Sequence, residues 1–209
     1  MKFTIVYNVL FGFYSLSLHL KKNSKSMFGQ YLKTILQLIL APRKAWSDVA
    51  EDDPNPARVL ERGLYPLMAI MALTAFCHGF YGAEPFQIGR ALESALGQFL
   101  SLFLTVMIAR GAFESLMPPM QTEKVPMARI ANVTSFSTGI LAIINIIANL
   151  CPIDLAIFWF LPAFLIVVLW HAAEYLSIRE DRYAQFIILA ISVLIILPIL
   201  FNFILSLVL

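Results

Sequence analysis

The chain has 209 residues, of which 60% are apolar and 13% are charged, and its mean hydropathy is +0.80. These values exclude an ordinary water-soluble domain, in which about 25% of residues are charged. The formal net charge of +2 is too small to indicate nucleic acid as a partner. The two cysteines, Cys77 and Cys151, lie far apart, so no Cys-x-x-Cys pair or Cys/His cluster indicates a metal or cofactor site.

The N-terminal extension, residues 1–26, is a Phe/Tyr/Leu-rich run followed by Lys21, Lys22 and Lys25. It lacks a small-residue cleavage site before the lysines, which argues against a signal peptide. A signal-anchor helix is one interpretation. The other is an extension upstream of the true start, because Met27 opens a well-patterned sequence. We therefore place residues 1–26 outside the core and assign residues 27–54 to a cytoplasmic segment of interfacial helices and a linker.

An amphipathic helix too short to cross a bilayer is predicted at 28–40. Its apolar residues recur at helical spacing and its polar residues share the opposite face; they are Phe28, Tyr31, Leu32, Ile35, Leu36 and Ile39, against Gln30, Lys33, Thr34 and Gln37. We expect it to lie in the membrane interface, with Pro42 ending it. Residues 42–46 can begin a second short helix, in which Trp46 suits the interfacial belt and Arg43 and Lys44 can reach lipid phosphates. An ordinary membrane-surface turn explains these three residues about as well.

The membrane domain is predicted at 55–209, after an acidic linker rich in proline. Its apolar stretches are long enough for spans, since a helix needs roughly 20 residues to cross a bilayer. We expect spans at about 62–82, 85–116, 126–150, 154–178 and 183–209, with the first helix beginning at Pro56 and capped by Asn55. The predicted fold class is an all-α integral membrane protein with five transmembrane helices, preceded by a cytoplasmic amphipathic interfacial helix.

Basic residues predict the orientation of these spans. They concentrate before the first span and in the loops after the second and fourth, whereas the opposite side has only Arg90. By the positive-inside rule the segment from Met27 is cytoplasmic and the C-terminus lies outside, as expected for a bacterial inner membrane. Small residues in the second and third spans predict that these two form the packed centre, while the fourth and fifth meet lipid.

Ionisable and amide side chains inside the spans are candidate functional residues, because such groups are costly in hydrocarbon. His78 and Glu93 fall toward the outer ends of the first two spans, where they could relay protons or bind a cation. Glu93 could equally pair with Arg90 or lie among headgroups. Asn132 and Asn145, in the unusually polar third span, either form interhelical hydrogen bonds or line a small polar cavity. His78, Glu93, Asn132 and Asn145 thus define a candidate polar pathway.

Two further pairs are weaker candidates. His171 and Glu174 lie three apart on the fourth predicted span and share a face, but a zinc site needs three or four ligands, so we interpret them as part of an interfacial band. Cys77 and Cys151 both fall near the outer side, where a disulfide is conceivable and free buried thiols are expected. The chain has no Gly-x-Ser-x-Gly, His-Glu-x-x-His or phosphate-binding glycine motif, so we predict no enzyme activity.

Residues 28–209 combine a short amphipathic segment, the sequence Leu-Ala-Pro-Arg-Lys-Ala-Trp at 40–46 with Val-Ala-Glu at 49–51, and five spans with a polar middle. In this order of parts, and in the Pro-x-x-x-Trp element, the chain resembles the small bacterial members of the Yip family, the Ypt/Rab-interacting multispan membrane proteins. The Asp-Leu-Tyr-Gly-Pro motif of eukaryotic members is absent, which argues against Rab binding. The resemblance implies a five-span membrane protein without an established reaction, and no catalytic residues.

We therefore predict a non-enzymatic membrane module that binds lipids or an unidentified protein partner through its cytoplasmic side, or associates with itself. Arg43, Lys44 and Trp46 are its predicted contact residues. The alternative hypothesis is a small transporter or permeation pathway for an ion, solute or lipid, lined by the candidate polar pathway. Neither hypothesis requires a cofactor.

Overall fold

A computed structural model describes residues 26–80, 86–151 and 161–208. These residues form seven α-helices and contain no β-strand, only an isolated bridge between Gln121 and Ile178. The helices are α1 Met27–Leu40, α2 Pro42–Asp52, α3 Pro56–His78, α4 Ile88–Leu116, α5 Met127–Leu150, α6 Phe164–Tyr175 and α7, residues 183–208. The prediction of an all-helical protein is confirmed.

Four of the described helices are long and apolar enough to cross a membrane. They are α3, α4, α5 and the stretch Glu180–Leu205, which includes most of α7. The fourth predicted span, 154–178, falls partly on residues 152–160, which lie outside the described part of the chain. Its described portion includes α6, an apolar helix of 12 residues. Four membrane-length helices are thus present, and the fifth span stays a prediction.

The start of α3 is the one predicted from the sequence. Asn55 is the N-cap, and its side-chain oxygen accepts hydrogen bonds from the backbone N–H groups of Ala57 and Arg58, at 3.0 and 3.4 Å. Pro56 occupies the first helical turn, where the missing N–H group of proline would have had no partner in the helix. The beginning of the first membrane helix is therefore encoded locally.

Two membrane helices contain an internal proline, and in each helix a π turn lies just before that proline. The π turn at Leu60–Leu64 precedes Pro66 in α3, and the one at Ser192–Ile196 precedes Pro198 in α7. An internal proline lacks an N–H group, and its ring clashes with the carbonyl four residues earlier. A wider turn relieves that clash, so both helices continue past the proline.

The helix α5 forms the centre of the bundle. In its most apolar stretch 83% of the residues are buried, against 44%, 39% and 17% in α3, α4 and the α7 stretch. The prediction of a packed centre was right for α5 but wrong for α4. Gly89 and Gly111 of α4 face open space, because small residues permit close packing but do not provide a neighbour.

The loops after α4 and α6 are joined at one end of the bundle. The N–H group of Thr122 donates to the carbonyl of Ser177 at 2.8 Å, and the N–H group of Arg179 donates to the carbonyl of Met120 at 2.9 Å. Ser177 has a left-handed backbone conformation, with φ of 51°. This pairing ties α4 to α6 across the base of α5.

Candidate functional site

The helices α1 and α2, joined at Ala41, form a unit that we call the N-terminal hairpin. It packs on the bundle, α1 against α3 and α5 and α2 against α6. The face of α1 toward the bundle is apolar; its buried side chains are Tyr31, Leu32, Ile35 and Leu38. Leu36, predicted to lie on the apolar face, is 41% exposed, and Leu40 is 83% exposed. The apolar face of α1 is thus covered mainly by protein.

Tyr31 occupies a slot between two glycines of different membrane helices. A Cβ atom on Gly63 would come within 2.5 Å of the Tyr31 Cγ atom, and one on Gly139 would overlap the Tyr31 hydroxyl group. That hydroxyl donates to the backbone carbonyl of Ser135 at 2.8 Å. Burial raises the pKa of Tyr31 well above its usual 10.0, so the phenol stays protonated and keeps this hydrogen bond.

Trp46 anchors α2 in the bundle. Its side chain is 2% exposed, and its Nε1–H group donates to the backbone carbonyl of Val168 at 3.0 Å. The indole stacks on Tyr175 at 5.3 Å and meets Phe136 edge-on at 6.3 Å. The interfacial-belt prediction for Trp46, and with it the role of this residue in contacting lipid or a partner, is wrong. An indole can be buried when its single N–H group finds an acceptor, and α6 supplies one.

Arg43 and Lys44 are exposed, on the side of α2 opposite the buried Ala45 and Trp46. Leu40, one turn away across the corner of the hairpin, is the most exposed large apolar side chain among the described residues. We call Leu40, Arg43 and Lys44 the basic corner. Burial of Trp46 holds the two cations at a defined place on the surface, and their ligand stays a prediction.

A cluster of polar side chains connects three membrane helices near the C-terminal end of α5. The side-chain amides of Gln98 and Asn149 pair reciprocally, with N···O distances of 3.0 and 2.9 Å. Asn149 also donates to the Thr74 hydroxyl at 3.3 Å. His78 Nδ1 lies 2.9 Å from the backbone oxygen of Asn149, so the tautomer protonated at Nδ1 donates there. The cluster gives the side-chain amides hydrogen-bond partners, which the hydrocarbon of a bilayer cannot supply.

The predicted pair of His78 and Glu93 does not form. No hydrogen bond or ion pair joins them in the described part of the chain, and none joins Glu93 to Arg90. His78 instead turns toward the backbone of α5. Sequence position placed both residues near one end of the bundle but could not give the rotation of each helix.

Asn132 and Asn145 lie far apart and have different surroundings. Asn132 is buried and donates to the backbone carbonyl of Pro54 at 3.0 Å, while Asn145 contacts the Met71 sulfur at 3.7 Å. Thirteen residues of helix separate them by roughly 20 Å. Between them Ser135 donates to a carbonyl of its own helix. The predicted polar residues therefore do not line one continuous route.

A small cavity of about 100 Å³ lies beside Asn145. Gln98, Ser101 and Asn202 contribute its other polar side chains. Ser101 donates to the backbone carbonyl of Pro198 at 2.7 Å, which ties α4 to α7 beside the proline. The cavity could hold a few water molecules, but its described lining contains no charged group.

A larger cleft of about 640 Å³ opens beside the N-terminal hairpin, along the polar face of α1. Its walls are the polar face of α1, the second half of α2 and the linker into α3. Its apolar side chains are Met27, Tyr31, Val49, Pro54, Val59 and Phe136. Nothing in the sequence analysis indicated this cleft, because it exists only once α1 and α2 fold back together.

The weaker candidate pairs form no site in the described residues. His171 is partly exposed and Glu174 is exposed, and no group of three His, Cys, Asp or Glu residues there is arranged to hold a metal ion. The thiols of Cys77 and Cys151 are free, as expected, but both residues are half-buried and not fully buried.

No protein-family model, curated protein or solved structure matches this chain. The resemblance to the Yip family accordingly stays an expectation from the sequence.

Proposed function

We propose that this protein is a non-enzymatic membrane module that binds anionic lipid headgroups through the basic corner of its N-terminal hairpin. The observation that carries the proposal is the burial of Trp46, because it fixes α2 on the bundle while leaving Arg43 and Lys44 exposed. A protein partner with an acidic surface could use the same corner, as an organising role would require.

The chemistry of the basic corner suits a bilayer surface. Leu40 is 83% exposed beside the two cations, so an apolar side chain can enter the acyl boundary while the cations reach phosphates. Each cation near an anionic surface contributes about 1 kcal/mol. Rigid attachment lowers the entropy cost of binding, since the hairpin need not be ordered first.

The proposal includes five spans, with α6 belonging to the fourth, and a place in the Yip family. The apolar sequence of α6 supports the span count, and the distribution of basic residues supports a cytoplasmic hairpin in a bacterial inner membrane. The Pro-x-x-x-Trp element supports the family, since its Trp is the anchor of α2.

Lipid binding can be tested by native mass spectrometry of the purified full-length protein in detergent with added phosphatidylglycerol. Reversing both cations, Arg43→Glu with Lys44→Glu, should weaken binding by at least about 2 kcal/mol, roughly thirtyfold. The matched control, Arg62→Glu with Lys124→Glu, also reverses two exposed cations and should retain most binding. Equal losses in both double variants would contradict a specific role for the corner.

The alternative function, a small permeation pathway, is favoured by one observation, the cavity of about 100 Å³ beside Asn145. It can be tested in proteoliposomes with Asn145→Leu, which replaces a polar side chain of the cavity with an apolar one. A permeation pathway predicts lost flux of the transported ion or solute at normal expression, whereas a lipid-binding module tolerates the change.

A further inference from the structure

The cleft beside the N-terminal hairpin has the size of a ligand site. Its volume of about 640 Å³ falls within the range of roughly 300–1,000 Å³ typical of small-molecule sites. Gln30, Lys33, Thr34 and Gln37 form the α1 wall, and the facing wall comes from α2 and the linker. The two cations of the basic corner, Arg43 and Lys44, are not part of its lining, so the cleft is a second feature that goes beyond the proposed function.

Charges of both signs line this cleft. Lys33 and Arg58 are its cations, and its carboxylates are Asp48, Glu51, Asp52 and Asp53. None of these six side chains forms an ion pair with another, and the ion pairs seen in the described ranges all involve Asp181. Cations and carboxylates thus lie around one space without direct contact between them. A ligand that carries both charges can satisfy the two sets together.

An exposed apolar strip runs along α1 from the cleft. Lys33, Leu36 and Leu40 recur at i, i+3 and i+7, so they share one face of the helix. Leu36 is 41% and Leu40 is 83% exposed. A ligand with a charged head in the cleft would find an apolar surface for hydrocarbon beside it, which favours a lipid over a soluble zwitterion.

We propose that the cleft binds the headgroup of a zwitterionic phospholipid with a phosphate and a primary ammonium, and that its acyl chains follow Leu36 and Leu40. The phosphate interacts with Lys33 and Arg58, and the ammonium donates hydrogen bonds to the carboxylates of the facing wall. A purely anionic headgroup would bring no cation to pair with the four carboxylates of the cleft. No three carboxylates in the described residues are close enough to hold a metal ion in its place.

The aromatic side chains of the cleft favour a primary over a quaternary ammonium. Tyr31 and Phe136 stack on each other, with ring centroids 5.3 Å apart, so these faces are occupied. A quaternary ammonium is commonly bound on open aromatic faces, because it has no N–H group to donate to a carboxylate. A primary ammonium matches carboxylate acceptors instead.

The proposal can be tested by native mass spectrometry of the delipidated full-length protein with phosphatidylethanolamine, phosphatidylcholine or phosphatidylglycerol. With the basic corner reversed by Arg43→Glu and Lys44→Glu, so that phosphatidylglycerol has no second site, we expect phosphatidylethanolamine to remain bound best, and Lys33→Gln with Asp48→Asn to weaken it by about tenfold or more. Lys33→Arg with Asp48→Glu keeps both charges and should restore binding. Equal retention of phosphatidylethanolamine and phosphatidylcholine, or no effect of the neutral double variant, would overturn the proposal.

Two controls separate this site from others. Arg43→Glu with Lys44→Glu should leave phosphatidylethanolamine binding intact, so failure of the basic corner and failure of the cleft give different results. Free phosphoethanolamine at millimolar concentration should displace the lipid, because the headgroup is what the cleft recognises. If free phosphoethanolamine displaces no lipid, recognition of the headgroup is refuted. If it binds as tightly as the lipid, the ligand is a soluble phosphoamine, and the role of the acyl chains is refuted.

Discussion

Replacing Trp46 with alanine should release α2 from the bundle. Removing a fully buried Trp costs about 3–5 kcal/mol. The hydrogen bond to the Val168 carbonyl, 3.0 Å long, accounts for about 0.5–1.5 kcal/mol of this, and the stacking on Tyr175 for a similar amount. The undocked population of α2 should therefore rise by roughly a hundredfold to a few thousandfold. Trp46→Phe keeps most of the contact area and should cost only about 1 kcal/mol.

Undocking can be measured through a cysteine on the buried face of α2. Ala45 is 1% exposed, so Ala45→Cys in a protein with Cys77→Ser and Cys151→Ser should react slowly with a polar maleimide. The rate should rise strongly with Trp46→Ala and only slightly with Trp46→Phe. Ser47→Cys is the control, because Ser47 is already exposed and its rate should hardly change. If Ala45→Cys reacts as fast with Trp46 present as with Trp46→Ala, α2 is not docked and the argument for the basic corner fails.

Two further perturbations test the packing inside the bundle. Gly139→Ala should lower the stability by about 1–3 kcal/mol in thermal unfolding, because its Cβ atom would overlap the Tyr31 hydroxyl group, and Tyr31→Phe should recover part of that loss. Gly111→Ala, whose added Cβ atom meets no atom within 4 Å, should be neutral or slightly stabilising, because alanine favours a helix, and equal effects of the two alanines would refute the slot. Gln98→Leu and Asn149→Leu should each destabilise by about 1–2 kcal/mol, and the double variant by clearly less than the sum; strict additivity would show that the amide pair contributes nothing.

Local features of the fold were predictable from the sequence. Asn55 and Pro56 mark the start of α3 because capping depends only on neighbouring residues. The membrane-length helices follow from long apolar runs, since a bilayer imposes a minimum length. The central place of α5 agreed with its polar and small residues, although the same reasoning failed for α4.

The candidate site was predicted less well, because residue type does not identify a partner. Trp46 fitted a membrane interface, yet its N–H group pairs with a carbonyl 122 residues away. Gln98 was overlooked, although a neutral amide inside an apolar span was a signal that could have directed attention to it. His78 was recognised as a polar residue but matched to the wrong neighbour.

The sequence by itself determined that the protein is helical, that several of its helices are long enough to span a membrane, and where the first of them begins. The tertiary structure alone decided that the N-terminal hairpin lies on the bundle, that Tyr31 fits between Gly63 and Gly139, and that a cleft with both charge signs forms beside it. The physical reason is that an apolar face is equally satisfied by lipid and by protein. Hydrophobic periodicity therefore shows which side of a helix avoids water, whereas shape and hydrogen-bond partners from distant parts of the chain determine what covers it.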